Sequence, residues 1–402
     1  MNKRACVTNL LETLDFITYN VSQGKPVDNF YADFAKAFDT VNKRLLGIKL
    51  EAYGIVDELL NWLMAFLHDR RQRVVIGESV SDWVEVESGV PQGSVLGPIL
   101  FVIFINDLLD TAKNVGKLYA DDSKILSVVS NTNEINEMQR DINRIVKWTI
   151  EWDMHLHCTK CKIMHHGINN PCHNYEIFDV TTNESKTLEV TTSERDLGIQ
   201  ITSDLKWHDQ VTAAASKANR ALGILKRTFS YMDVDLTKKL YCCYVRPHLE
   251  FASSVWNPSL KGEIDKLEQI QNRATRIPFQ VKGIRSKERL KIFGLQSLYD
   301  RRRRGDLIQL YKINRGLDTV KWHHPQTIAP SIQTQGPASA IRGHNQRLTK
   351  ETVKFEPRHK FFTNRVANDW NKLDHETILA PTLNVFKARI DKHFFHIYLA
   401  IF

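Results

Sequence analysis

The sequence predicts an α+β fold in which an antiparallel sheet carries helices on one face and is followed by helical regions. Two observations lead to this prediction. Over residues 5–156 the apolar spacing changes repeatedly between the helical and the strand period. From about residue 207 onward the spacing is helical, and these helices carry a strong basic bias.

The first elements are a helix, a strand and two more helices. Residues 5–23 have helical spacing, and residues 27–34 have strand spacing with Asp33 near the end of the strand. Amphipathic helices are predicted over residues 42–53 and 57–67. Asp33 is therefore expected at the end of that strand.

The next elements are short strands, a turn-rich segment and a buried helix. Residues 74–76 and 83–86 alternate as a hairpin. Residues 88–98 contain three glycines and two prolines, which favour turns. The apolar run 99–105 predicts a buried helix that continues to Leu109.

A second hairpin carries two acids at its tip. Asp121 and Asp122 lie between two short apolar segments, and a helix is predicted over residues 132–156. Adjacent carboxylates repel each other unless a cation joins them. Two-metal phosphoryl transfer needs such acids, although an Asp-Asp pair by itself is more often an ordinary turn.

Composition is that of a globular, basic protein. Hydrophobic residues make up 42% of the chain, and the formal net charge of +9 indicates a polyanionic partner. Six unevenly spaced cysteines and the lack of a signal peptide predict an intracellular protein of the cytoplasm or nucleus that is not secreted. The run 99–105 is too short to cross a bilayer, so no membrane partner is expected.

Three blocks occur in order: residues 31–39 (YADFAKAFD), 88–98 (SGVPQGSVLGP) and 119–122 (YADD). Together they resemble the palm of reverse transcriptases of non-LTR (LINE-type) retrotransposons, in particular the jockey-like group. The likeness continues through several shorter segments, which are residues 71–74, 105–108, 160–162, 196–198, 245–250 and 301–306.

The resemblance implies an RNA-directed DNA polymerase, a nucleotidyltransferase that adds dNTPs to a primer 3′-hydroxyl on an RNA template. Its cofactors would be two Mg²⁺ ions, with Mn²⁺ as an alternative. Asp33 and Asp121 would be the main metal ligands, Asp122 a supporting ligand, and the backbone carbonyl of Phe34 an additional one. Three carboxylates around two such ions leave a net positive site for triphosphate oxygens.

The resemblance also implies roles for residues around the acids. Phe38 would lie under the incoming sugar and exclude a 2′-hydroxyl, Gln92 and Gly93 would contact the nucleotide, and Lys160 would protonate the leaving pyrophosphate. Without the motifs these residues would be interpreted as a core aromatic, a surface turn and a solvated lysine. Asp39 and Asp107 are interpreted as structural.

The predicted organisation has five segments: residues 1–30 lead into the palm, 31–206 form the palm, 207–315 a basic thumb-like domain, 316–345 a linker, and 346–402 a basic helical segment. The Arg301–Arg304 run could bind nucleic acid or form a solvated face, and both remain open. The aromatic residues of the thumb-like region are interpreted mostly as core.

Two further alternatives concern zinc and truncation. A zinc site at Cys158, Cys161, Cys172 and His173 is a minor alternative, because only the first spacing fits a standard site. Only 32 residues precede Asp33, so the resemblance predicts an N-terminally truncated element without the endonuclease and most of the fingers. Loss of the fingers would remove cations that stabilise the transferring phosphoryl group. The alternative to a polymerase is therefore a non-catalytic nucleic-acid-binding remnant.

Overall fold

The computed structural model describes residues 3–328, 344 and 346–394, and its contacts divide the chain into two compact units. Gly24–Thr192 form one unit, here called the sheet unit. Met1–Gln23 and Ser193–Phe402 form the other, here called the helical unit. None of the described helices is long and apolar enough to cross a membrane.

The sheet unit contains eleven strands and five α-helices among its residues, all of which are described. The strands are β1 (Val27–Ala32), β2 (Arg71–Gln72), β3 (Val75–Ile76), β4 (Ser79–Val80), β5 (Val84–Glu85), β6 (Val115–Tyr119), β7 (Asp122–Val128), β8 (Lys162–His166), β9 (Glu176–Asp179), β10 (Glu184–Thr187) and β11 (Glu189–Val190). The helices are α2 (Ala37–Thr40), α3 (Lys43–Ala52), α4 (Asp57–Leu67), α5 (Leu96–Ile105) and α6 (Thr132–Glu151), with a 3₁₀ turn at Leu108–Thr111.

The central sheet has five strands in the order β11-β8-β1-β7-β6. Neighbouring strands are antiparallel except β8 and β11, which are parallel. Phe30 lies opposite both Ile125 and Ile163, and all three side chains enter one core with residues of α3, α4, α5 and α6. The predicted α+β class with an antiparallel sheet is confirmed.

Lys49 links three of these helices through an aromatic cage. Its ammonium donates to the Phe104 carbonyl and to Asp107 Oδ1, each at 2.5 Å, and lies 3.7 Å from the centre of the Trp152 ring. Trp148 donates to the same Asp107 oxygen at 3.2 Å. Burial lowers the pKa of Lys49, and the hydrogen bond to Asp107 opposes that shift. The structural role predicted for Asp107 is confirmed.

The predicted hairpin between residues 74–76 and 83–86 is wrong in its pairing. Val75 and Ile76 pair with Val80 and Ser79 in a tight inner hairpin, whereas β5 pairs with β2. Strands of two residues contain one alternation at most, so the apolar spacing cannot fix their register. The region is therefore two nested ladders.

The helical unit contains most of the remaining helices. They are α1 (Cys6–Ser22), α7 (His208–Thr228), α8 (Val234–Leu240), α9 (Arg246–Glu250), α10 (Lys261–Ala274), α11 (Ser286–Phe293), α12 (Leu298–Asn314), α13 (Glu356–His359), α14 (Phe362–Trp370), α15 (His375–Ile378) and α16 (Leu383–Phe394). A π-helical turn spans Tyr241–Val245, a 3₁₀ turn Phe279–Val281, and β12 (Ser193–Asp196) pairs with β13 (Ile199–Thr202). Of the predicted linker 316–345, residues 329–343 and 345 lie outside the described residues.

Arginine side chains hold the helical unit together. Arg301 pairs with Glu250, Arg303 with Asp369 at 2.8 Å, and Arg304 with Asp391 at 2.5 Å, and the remaining arginine of this run, Arg302, is only 1% exposed. A guanidinium held by a carboxylate inside the fold is not available to a phosphate. The nucleic-acid contact left open for this run is therefore not supported, and the run is structural.

Candidate active site

Two acids lie at the tip of the hairpin formed by β6 and β7. Tyr119 pairs with Asp122, so the turn consists of Ala120 and Asp121. Ala120 adopts a φ of 54°, in the left-handed region that tight hairpin turns require. The predicted hairpin is confirmed, and both Asp121 and Asp122 are exposed.

Asp33 lies at the same end of the sheet, just after the neighbouring strand β1. Ala32 pairs with Ser123 of β7, and Tyr31 pairs with Lys162 of β8. Ala32 and Ser123 are the last paired residues of the β1–β7 ladder, so Asp33 and Asp122 are the next residue on each strand. On the other side the ladder ends at Tyr31, and the bridge between Phe34 and Leu156 brings His157 against Asp33. The structure thus brings together the two acidic segments predicted from the motifs.

Asp33 lies on the face of the sheet that is turned away from the core formed with α3, α4, α5 and α6. Phe34 is 7% exposed and belongs to the core, whereas the side chain of Asp33 is 47% exposed. Successive residues of an extended segment point to opposite faces. Asp33 therefore projects to solvent while the next residue anchors the backbone.

Backbone contacts from residues 155–161 hold Asp33 in place. The His157 N–H donates to the Asp33 carbonyl at 2.8 Å, and the Ala35 N–H donates to the His155 carbonyl at 3.0 Å. The Asp33 N–H in turn donates to Cys161 Sγ at 3.4 Å. Cys161 is fully buried, and burial raises the pKa of its thiol to about 12. Its sulfur supports Asp33, and sequence reasoning missed this role.

Lys160 lies beside the same carboxylate. Its ammonium is 3.9 Å from Asp33 Oδ1, and the side chain is 61% exposed. Ion pairs this exposed contribute little to stability, because water screens them and the side chain keeps its freedom. Lys160 is therefore free to change partners when a more highly charged group arrives near Asp33.

The glycine-rich segment is docked onto the turn that follows β1. Gly89 adopts a φ of +83°, and a Cβ atom there would lie 2.7 Å from the Asp39 Cα. Ser88 Oγ donates to the Asp39 carbonyl at 2.7 Å, and Gln92 Nε2 donates to Asp39 Oδ1 at 2.9 Å. Asp39 thus orients Gln92, in addition to the turn role predicted for it. Gly93 has the same φ but open space around it.

Phe38 is fixed by a helix of the core. Its ring stacks on Phe101 of α5, with centroids 4.3 Å apart and an angle of 18° between the planes. Phe38 is half-buried, so one side of the ring packs on α5 and part of it stays accessible. The core role and the sugar-contact role are compatible for this residue.

The donor chemistry of the acids fits a divalent metal ion. Across the described ranges, no three His, Cys, Asp or Glu side chains are grouped closely enough to hold one ion by themselves. Mg²⁺, however, prefers oxygen ligands, keeps several waters, and is usually bound by one or two carboxylates together with substrate phosphates. Asp33 and Asp122, which adjoin the paired residues Ala32 and Ser123, match that requirement. The zinc alternative gains no support, because Cys161 contacts Asp33 instead.

The family assignment rests on the region that contains this site. The family described as "Reverse transcriptase (RNA-dependent DNA polymerase)" matches residues 21–212. Residues 21–212 are therefore a reverse transcriptase domain, and members of that family generally use divalent metal ions and bind RNA and other nucleic acids.

Within that family, the chain is homologous to the polymerases of non-LTR retrotransposons, as its motifs predicted. It is 25% identical over 279 residues to the "Probable RNA-directed DNA polymerase from transposon BS" of Drosophila melanogaster, covering 63% of this chain and 29% of the relative. It is also 25% identical over 266 residues to the "RNA-directed DNA polymerase from mobile element jockey" of Drosophila funebris, covering 61% and 28%. The chain thus spans less than a third of these relatives.

Solved structures give a more distant likeness. The telomerase of Candida tropicalis in complex with a fragment of telomeric RNA is 13% identical, with a TM-score of 0.40. The match covers 75% of this chain and 47% of the telomerase chain.

Proposed function

We propose that this protein is an RNA-directed DNA polymerase that transfers dNTPs to the 3′-hydroxyl of a DNA primer on an RNA template. The observation that carries the proposal is that Asp33 and Asp122 directly adjoin the paired residues Ala32 and Ser123 of adjacent strands, with Asp121 in the turn beside them. The reverse transcriptase match over residues 21–212 supports the choice of reaction.

Asp33, Asp121 and Asp122 would hold two Mg²⁺ ions, or Mn²⁺ in their place, with help from the Phe34 carbonyl. Bound there, such ions supply Lewis-acid stabilisation of the attacking and leaving oxygens in an in-line displacement. The chain's own contribution is a fixed backbone. Asp33 is held through hydrogen bonds from residues 155–161, and Asp122 is held by its pairing with Tyr119.

Lys160 would bind the phosphates of the dNTP and donate a proton to the leaving pyrophosphate. The position of Lys160 supports this role, because its ammonium lies 3.9 Å from Asp33 Oδ1. A lysine has one proton to give and a compact charge that suits phosphate oxygens. Loss of the triphosphate from the site would return Lys160 to Asp33.

Phe38, Gln92 and Gly93 would select and position the nucleotide. The stacking of Phe38 on Phe101 gives a rigid ring, which suits exclusion of a 2′-hydroxyl. The hydrogen bond from Gln92 to Asp39 orients that amide, and Gly93 leaves open space where a base or sugar can approach the backbone.

The cellular setting belongs to the same proposal. All six cysteines are free, which suits the reducing environment of the cytoplasm or the nucleus. Both compartments hold the RNA and the dNTPs that the reaction needs.

Primer extension on an RNA template with Mg²⁺ tests the proposal, with Asp110→Asn as the matched control. Asp121→Asn should lower dNTP incorporation on the order of a hundredfold or more, because a lost metal ligand removes several kcal/mol of charge stabilisation. Asp110 is an exposed aspartate of the same unit, and its variant should keep wild-type activity.

Three outcomes would contradict the proposal or one of its parts. Equal incorporation by Asp121→Asn and the wild type would remove the acid from the reaction. Salt-sensitive RNA binding by the wild type without any incorporation would identify a binding remnant instead. Efficient use of NTPs in place of dNTPs would contradict the role of Phe38.

A further inference from the structure

A pocket in the helical unit is lined by several positively charged residues. It has a volume of about 450 Å³ and lies among the end of α7, the loop after it and the end of α10. The pocket contains three cationic and no acidic residues. Its lining residues are Lys226, Phe229, Ser230, Tyr231, Met232, Arg273, Arg276 and Ile277.

The three cations differ from the structural arginines of the same unit. Lys226, Arg273 and Arg276 are exposed, and none of them forms an ion pair with any residue that the structure describes. Burial lowers the pKa of the Arg289 guanidinium, and the charge of nearby Arg276 lowers it further. The cluster is therefore a concentration of uncompensated positive charge.

Helix ends account for only part of this cluster. Lys226 and Arg273 lie in the last turns of α7 and α10, where cations stabilise the partial negative charge of the helix end. Arg276 lies beyond the end of α10, so this effect does not explain it. The partial charges of two helix ends also do not neutralise three full charges. An anion in the pocket would.

An aromatic ring borders the cations. Tyr231 is 66% exposed, although the aromatic residues of this region were expected mostly in the core, where Tyr241 and Trp256 indeed lie. Gln280 Nε2 donates to the Tyr231 hydroxyl at 2.9 Å and so orients the ring. Met232 is 5% exposed and closes one side of the pocket.

We propose that this pocket holds one nucleotide of a single-stranded nucleic acid, with its phosphates on Lys226, Arg273 and Arg276 and its base stacked on Tyr231. Cationic grooves with exposed aromatic rings are the arrangement by which single strands are bound without sequence preference. The choice of nucleic acid over another phosphate ester rests on the proposed function. The site itself lies in the helical unit, and its occupation does not require the palm acids.

The test measures binding of a fluorescent single-stranded RNA of about 12 nucleotides, a length within the range that one such site covers. The full chain is titrated at several salt concentrations, beside the double variant Arg273→Gln/Arg276→Gln. The double variant should bind at least about tenfold more weakly, and the slope of log K against log salt should fall by about 0.7 for each lost phosphate contact. Lys261→Gln, at the other end of α10, is the matched control and should match the wild type.

The aromatic part has its own pair of variants. Tyr231→Leu should weaken binding on the order of tenfold, whereas Tyr231→Phe keeps the ring and should bind nearly as the wild type does. Tyr231 is largely exposed in the wild type, so neither substitution should disturb the fold. Thermal unfolding of each variant checks this. Inorganic phosphate should compete only weakly, because it offers no base to the ring.

Three results would overturn the proposal. The first is an unchanged dissociation constant and salt slope in Arg273→Gln/Arg276→Gln. The second is an effect of Lys261→Gln equal to that of the double variant, which would indicate a diffuse charge effect. The third is equal binding by Tyr231→Leu and Tyr231→Phe. Asp121→Asn separates the two proposals, since it should bind the RNA normally and fail only in dNTP incorporation.

Discussion

The position of Asp33 depends on side chains and backbone groups that lie far away in the sequence. Cys161, 128 residues later, accepts a hydrogen bond from the Asp33 N–H and is completely buried. A motif of acids identifies Asp33 as a candidate ligand, but nothing in its spacing marks the sulfur that supports it. The register of β1 with β8 brings the two residues together, and only the folded sheet fixes that register.

The buried thiol predicts how stability depends on pH. Burial raises the pKa of Cys161 from 9.0 to about 12. Between these values the native thiol keeps its proton while the unfolded thiol loses it, so the unfolded state binds fewer protons and stability falls as pH rises. Between about pH 9 and about pH 10, this thiol should lower the free energy of unfolding of the wild type by roughly 1 kcal/mol. Cys161→Ala should not show that part of the decrease.

Urea unfolding at a series of pH values measures this effect. The exposed Cys172 provides the control, and Cys172→Ala should keep the wild-type slope of stability against pH. A wild-type slope in Cys161→Ala as well would mean that the thiol does not stay protonated in the native protein.

The loop of residues 88–93 shows how one element places another at the scale of secondary structure. Gly89 and Gly93 both have a φ of +83°, but only Gly89 packs against the backbone of Asp39. Glycine therefore suits these two positions for different physical reasons. Gly89 permits close packing against the turn after β1, and Gly93 leaves open space beside the backbone.

A pair of matched substitutions tests this difference. Gly93→Ala should cost roughly 1–2 kcal/mol, because an L-residue is strained at positive φ. Gly89→Ala carries the same strain, and its Cβ must also displace the Asp39 backbone, which adds about 1–3 kcal/mol. Equilibrium urea unfolding compares the two variants. Equal losses would contradict the docking of the loop on Asp39.

Sequence spacing predicted long elements well and short ones poorly. The helix expected over residues 57–67 is α4, and the Asp-Asp hairpin formed where the turn chemistry indicated. The two-residue strands β3 and β5 were paired wrongly because they contain too few alternations to define a partner. The helix expected to end at residue 156 ends at Glu151, since the chain turns there and Leu156 forms a bridge with Phe34 beside the acids.

At the scale of the molecule, buried charge holds distant parts of the sequence in one unit. Arg358 is fully buried, and it pairs with Asp15 of α1 at 2.6 Å and with Glu351 at 2.5 Å. Helix α1 thus belongs to the helical unit together with residues more than three hundred positions later. Charge composition predicted a basic helical region, but it could not separate such buried arginines from exposed ones.

Breaking this network should unfold part of the helical unit selectively. Arg358→Met leaves Asp15 buried without its partner, which costs about 3–5 kcal/mol. Lys206→Met, which breaks an exposed pair with Asp204 in the same unit, should cost less than about 1 kcal/mol. Hydrogen exchange should show lost protection in α1 and α14 of Arg358→Met, with β1 and β7 unchanged. Equal effects of the two substitutions would contradict this account of the helical unit.

The central claim is that Asp33, Asp121 and Asp122, at one end of the sheet, bind divalent metal ions for nucleotidyl transfer. Binding of Mn²⁺ by the full chain in the presence of a dNTP, followed by electron paramagnetic resonance, tests it most directly. The wild type and Asp110→Asn should bind Mn²⁺ alike, and Asp33→Asn/Asp121→Asn should lose that binding because the substitutions remove two carboxylate charges from the site. Unchanged Mn²⁺ binding in the double variant would contradict the claim.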